Sequence, residues 1–98
     1  MQAEEQLCIY LEGIVQGVGM RYYVNDLAER MGLRGYVQNT PDRRVKCVVQ
    51  GERDRLDLFI NSLKNAPRGR VDHVDVEKCT DWIELGDFNI RFYGSPGL

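Results

Sequence analysis

Histidine occurs once, at His73, and the three cysteines, Cys8, Cys47 and Cys79, stand far apart from one another. Zinc sites are built from close pairs such as C-x₂-C, so this spacing excludes the common metal frameworks. A disulfide scaffold wants an even count in a secreted chain; the expectation is three reduced structural thiols. His73 lies in the strand-like stretch Val71-Asp72-His73-Val74 and reads as a surface side chain rather than a catalyst. No apolar run approaches the roughly 18 residues that a membrane span needs. Basic excess is missing as well: 13 Lys and Arg face 15 Asp and Glu, a net charge of −2. Nucleic-acid binders usually carry a basic face, so that class is disfavoured. The opening Met-Gln-Ala-Glu-Glu-Gln is acidic and polar, unlike a secretory or transit peptide. The expectation is a cytoplasmic, soluble protein in which residues 1–98 form one domain, a length that supports a single core. Hydrophobic residues at 43% and charged residues at 29% are an ordinary globular mix.

The apolar pattern then sets the order of elements. Leu7, Ile9 and Leu11 alternate with Cys8, Tyr10 and Glu12, the period of a half-buried strand. From Arg21 onward Val24, Leu27, Ala28 and Met31 fall on one helical face, with Gly32 as its C-terminal cap. A second strand runs from about Arg34 to Gln38 and ends in the turn residues Asn39-Thr40-Pro41-Asp42. Val45, Cys47 and Val49 alternate as a third strand, and Leu56, Phe59, Ile60 and Leu63 repeat the helical stripe. After Pro67 and Gly69 come Val71 to Cys79 and a last strand near Phe88 to Phe92. Two helices cover only one face of such a sheet. The predicted fold is an α/β (α+β) two-layer sandwich of the ferredoxin-like kind, βαββαβ, with a mixed, mainly antiparallel sheet of four to five strands.

Chemistry concentrates in Gly13-Ile14-Val15-Gln16-Gly17-Val18-Gly19-Met20-Arg21. A strand, a glycine-rich loop and a helix that opens on arginine make the physical recipe for an anion site. Glycines admit backbone turns that aim successive N–H groups into one hollow. The helix N-terminus adds unpaired N–H groups and the positive end of its dipole. Arginine's planar fork matches two phosphate oxygens. A plain structural turn is the competing reading, and the Gly-Lys-Ser/Thr ending of a nucleotide P-loop is absent.

That segment resembles the first signature of the acylphosphatases. Gly35-Tyr36-Val37-Gln38-Asn39, followed by Val45 and Gly51, resembles the second. The likeness continues through Pro67, Val71, Val74 and Phe88-Asn89-Ile90-Arg91, nearly the whole chain. It implies a small hydrolase that cleaves the carboxyl-phosphate bond of acyl phosphates without metal or cofactor; a monomer is the default expectation. By the match, Arg21 and the backbone N–H groups of Gln16, Gly17, Val18, Gly19, Met20 and Arg21 hold the phosphoryl group, and Asn39 holds the attacking water. In a β-α-β unit the two strands run the same way, which puts the loop and the Asn39 turn at one end of the sheet. The family's second signature has glycine where this chain has Arg43. If that turn needs positive φ, arginine costs about 1–2 kcal/mol there. Arg43 and Arg44 read as a solvent-facing hairpin tip, and Thr40 as a turn stabiliser. Trp82 and Tyr93 are candidates to cover the sheet, and Tyr22 or Tyr23 to line an acyl pocket. The alternatives are a low-activity or inactive acylphosphatase-like anion-binding domain, or a domain excised from a hydrogenase-maturation carbamoyltransferase. An RNA-binding module of this architecture would present aromatics on its open sheet face. The third strand offers Lys46, Val48 and Gln50 there.

Overall fold

A computed structural model describes residues 3–79 and 81–92. The elements follow the order expected: β1 (Glu4–Ile14), α1 (Met20–Arg30), β2 (Arg34–Asn39), β3 (Val45–Glu52), α2 (Arg53–Lys64), β4 (Arg70–Lys78) and β5 (Asn89–Arg91). The five strands form one sheet in the order β4-β1-β3-β2-β5, antiparallel except for the parallel β2–β5 pair. This is the ferredoxin-like α+β arrangement.

Alternation decides which face each residue takes. Leu7, Ile9 and Leu11 of β1, with Val45, Cys47 and Val49 of β3, point to the helices and are buried. The stripes Val24 and Ala28 of α1 and Leu56, Phe59, Ile60 and Leu63 of α2 close over them. Phe59, fully buried, meets Phe88 edge-on with ring centroids 6.5 Å apart. Burial of one such side chain contributes about 1.5–3 kcal/mol. Helix α1 stops where Gly32 takes φ 68°. The Gly32 N–H donates to Glu29 O, and the Leu33 N–H to Ala28 O, which satisfies two carbonyls of the last turn.

The opposite sheet face is not bare. The connection from β4 to β5 crosses it and is pinned by two buried glutamines. Gln50 Nε2 donates to Gln6 Oε1 and to Ile83 O, both at 2.6 Å, while the Ile83 N–H donates to Gln6 Oε1 at 3.0 Å. Gln6 Nε2 donates to Asp81 O at 2.7 Å. Cys8 and Cys79 form a disulfide at the start of this crossing, with Cα atoms 5.6 Å apart. Two of the three thiols expected to be reduced are therefore paired. The bond escapes a count of cysteines because it depends on the pairing of β1 with β4, which sets Leu7 opposite Lys78 and so brings Cys79 diagonal to Cys8. Cys47 is free, and burial pushes its thiol pKa up. Trp82 covers the sheet only partly, being about half exposed, and Tyr93 lies outside the described residues.

Candidate anion site

The end of the sheet is organised by register. Val45 pairs with Leu11 on one side and with Asn39 on the other. Strands β1 and β2 both run antiparallel to β3, so they share a direction and finish at the same end. Asn39 thus stands level with Leu11, two strand spacings or about 10 Å across the sheet, as the loop after β1 begins. Parallel β5 also finishes there, with Arg91 paired to Gln38.

The loop after β1 is anchored from below. Val15 and Met20 are buried and Val18 packs against the core, whereas Gly17 and Gly19 face solvent. Val18 and Met20 thus offer the site only their backbones. Gly17 has φ 74° and Gly19 φ 81°. A Cβ would meet nothing within 4 Å at Gly17, and at Gly19 only the Arg68 side chain at 3.9 Å. Left-handed φ, rather than lack of room, is what demands glycine at both positions. Gly19 caps α1 without a side-chain bond, and its carbonyl receives the Tyr23 N–H at 3.1 Å. The first turn holds no acidic residue. Among the described residues, no backbone carbonyl outside the regular elements takes an amide hydrogen from Gln16 to Arg21. Those donors and the helix dipole leave positive potential above the loop.

Arg21 is half-buried in the first turn of α1. Its Nη1 lies 3.5 Å from Arg91 O, and its Cζ lies 5.0 Å from the Phe92 ring centroid. The guanidinium thus rests against the end of β5, a contact that sequence spacing could not reveal. Asn39 ends β2, and its Oδ1 is buried without a protein partner. Arg21 and Asn39 do not bond to each other. A buried acceptor left open is costly, so this one is suited to receive a hydrogen bond from a ligand or solvent.

The turn after Asn39 shows how it is held. The Arg43 N–H donates to Thr40 O at 3.2 Å, and the Thr40 N–H to Arg44 O at 2.9 Å. Arg43 follows with φ 69°, the one non-glycine with positive φ among the described residues. The turn is left-handed at this position although the residue is arginine, so Arg43 bears its strain. Thr40 is the stabiliser expected: its hydroxyl donates to the Asp42 carboxylate and accepts the Arg44 N–H at 3.0 Å. The Thr40 hydroxyl, helped by the Arg44 guanidinium, holds the Asp42 carboxyl below the usual carboxylate range. Arg44 pairs with Asp42 at 2.9 Å and lies 4.4 Å over the Tyr10 ring, while Arg43 faces solvent.

Two further side chains belong to this end of the molecule. Gln16 Nε2 donates to Thr40 O at 2.9 Å and to Arg44 O at 2.8 Å, joining the loop to the turn. The Arg68 side chain lies beside Gly19. A lone arginine after Pro67 carries no motif, so its place is not legible without the structure. Tyr23 donates from its hydroxyl to Ser62 O at 3.3 Å and so joins the two helices; Tyr22 is two-thirds exposed. Among the described residues no three His, Cys, Asp or Glu side chains cluster as a metal site requires.

Comparison with known proteins agrees with the fold. The acylphosphatase family profile matches residues 7–90. An acylphosphatase of Lactobacillus gasseri is 40% identical over 82 residues, which cover 82% of this chain and 90% of its own. The crystal structure of acylphosphatase from Bacillus subtilis superposes with a TM-score of 0.83 at 32% identity, covering 91% of this chain and 99% of that one. A probable carbamoyltransferase HypF of Methanocaldococcus jannaschii is 39% identical over 84 residues, 84% of this chain but 11% of its own length.

Proposed function

Because the chain belongs to the acylphosphatase family, we infer that it hydrolyses the carboxyl-phosphate bond of acyl phosphates to a carboxylate and inorganic phosphate. Arg21 and the backbone N–H groups of residues 16–21 would hold the phosphoryl oxygens, and Asn39 would orient the attacking water. The observation that carries the assignment is the shared register of Leu11, Val45 and Asn39, which puts the loop and the asparagine at one end of the sheet.

Water oxygen bonds to phosphorus, the bond from phosphorus to the acyl oxygen breaks, and that electron pair leaves on the carboxylate. Carboxylate is a good leaving group and phosphoryl transfer passes through a loose transition state. Catalysis then rests on placing the water and stabilising charge on the equatorial oxygens. An amide does not take up a proton at neutral pH, so Asn39 orients water without deprotonating it. Asp42 is a poor base, since its carboxylate is engaged by Thr40 and Arg44 and its pKa is lowered. The proton goes to a phosphoryl oxygen of the substrate or to solvent. A pH–rate profile that demands a protein base near neutrality would contradict this step.

The same reading takes residues 1–98 as one domain, acting as a monomer on a small acyl phosphate, without cofactor or nucleic acid. Composition supports a cytoplasmic site of action. The Cys8–Cys79 bond points instead to an oxidising compartment or to a hyperthermophile's cytosol, and thiol counting on protein from its native host separates these. The activity is tested by hydrolysis of benzoyl phosphate in EDTA: turnover is expected, and none at all would leave an anion-binding domain that has lost its chemistry.

A further inference from the structure

The two halves of the site lie on separate elements, the loop before α1 and the turn after β2. Beyond the register of the sheet, a single side chain joins them by hydrogen bonds. Gln16 leaves the loop between buried Val15 and solvent-facing Gly17, and its amide nitrogen reaches the turn. There it donates to the first and last carbonyls of the turn, Thr40 O at 2.9 Å and Arg44 O at 2.8 Å. One amide nitrogen carries two hydrogens, so glutamine serves both acceptors at once. Those carbonyls are also the ones that close the turn, through the Arg43 and Thr40 amides. Asn39 immediately precedes the clamped segment, and no protein donor fixes its Oδ1. Its side chain is therefore aimed by its backbone, and its backbone is tied to the loop by Gln16.

We propose that the Gln16 side chain is a positioning residue for catalysis, setting the distance between the phosphoryl-holding loop and the Asn39 amide. The proposal rests on the assignment of Asn39 to the attacking water. It differs from a role for Gln16 in binding phosphate, because both side-chain hydrogens point to the turn. Misplacing a reacting group by about 1 Å costs about 100-fold, so the loss should fall on turnover and spare phosphate affinity.

The test measures kcat, KM and inhibition by inorganic phosphate for Gln16→Met, Gln16→Glu, Asn39→Ala and the double variant Gln16→Met/Asn39→Ala. Methionine keeps the length of the side chain without its donors; glutamate also removes the donors but adds a charge beside the anion loop, so it serves for kcat alone, and phosphate inhibition is read in the methionine variant. Gln16→Met is expected to lower kcat about 10- to 100-fold with phosphate inhibition within about threefold. On the Asn39→Ala background the same change should lower kcat less than about threefold, because residues acting as a unit are not additive. Unchanged kcat in the Gln16 variants, or a full multiplicative loss in the double variant, would overturn the proposal. A phosphate inhibition constant that rises as kcat falls would place Gln16 in the anion cradle instead. Full activity in Asn39→Ala would overturn the water-holding assignment itself, a result distinct from failure of the Gln16 variants alone.

Discussion

Arg43→Gly should make this protein more stable. Arg43 holds φ 69° in the turn between β2 and β3, and a Cβ in the left-handed region costs about 1–2 kcal/mol. Its side chain is exposed and makes no hydrogen bond or ion pair among the described residues, so little is lost with it. Glycine gives back about 0.5–1 kcal/mol through the greater entropy of the unfolded chain. The net gain is about 0.5–1 kcal/mol, or about 2–8 °C in Tm for a domain of this size. Thermal and urea unfolding of the wild type, Arg43→Gly and Arg43→Ala would read it. Alanine keeps the strain and should leave Tm near the wild-type value. A glycine variant no more stable than the alanine variant would refute the strain argument. Activity of Arg43→Gly should stay within a fewfold, since the turn already has the shape that glycine favours; a large gain would mean that arginine displaces Asn39.

Three other outcomes follow from the same structure. Thiol titration should find no reactive cysteine in the folded protein, one on unfolding without reductant and three with it, because Cys8 and Cys79 are paired and Cys47 is buried. Opening the Cys8–Cys79 bond should cost about 2–4 kcal/mol, since the link closes most of the chain into one loop; equal Tm for the wild type and Cys8→Ala would contradict this. Asp42 has a depressed native pKa, so its contribution is present above the unfolded value near about 3.9 and is lost as pH falls through the folded value. The advantage of the wild type over Asp42→Asn should therefore shrink as pH falls below about 4 and vanish below the folded value, and an advantage that does not diminish with falling pH would refute the pairing.

Local pattern made most of the fold legible, because each strand and helix shows its own period and each turn its own chemistry. The Leu7-Ile9-Leu11 alternation and the Leu56-Phe59-Ile60-Leu63 stripe assign faces without help from tertiary contacts. Arg21 and Asn39 were paired through the family resemblance, and topology agreed with it, since strands that run the same way direct the loop and the turn that follow them to one end of the sheet. What escaped was everything set by the crossing from β4 to β5 and by the pairing of β1 with β4. Gln6 and Gln50 sit at positions that alternation gives to solvent, yet the crossing buries both, and Cys8 meets Cys79 through the β1–β4 register, which no local pattern shows. The Gln16 clamp was hidden for a similar reason, since a side chain bonding to backbone leaves no complementary residue to notice. Arg43 was read correctly as a cost because the need for positive φ belongs to the turn and not to its neighbours.

The most direct test is hydrolysis of benzoyl phosphate in EDTA by the wild type beside Arg21→Gln and Asn39→Ala, with folding checked by circular dichroism. Turnover by the wild type, lost in folded Arg21→Gln and cut to a small residual rate in folded Asn39→Ala, is the predicted result. Activity that survives Arg21→Gln would contradict the site at this end of the sheet.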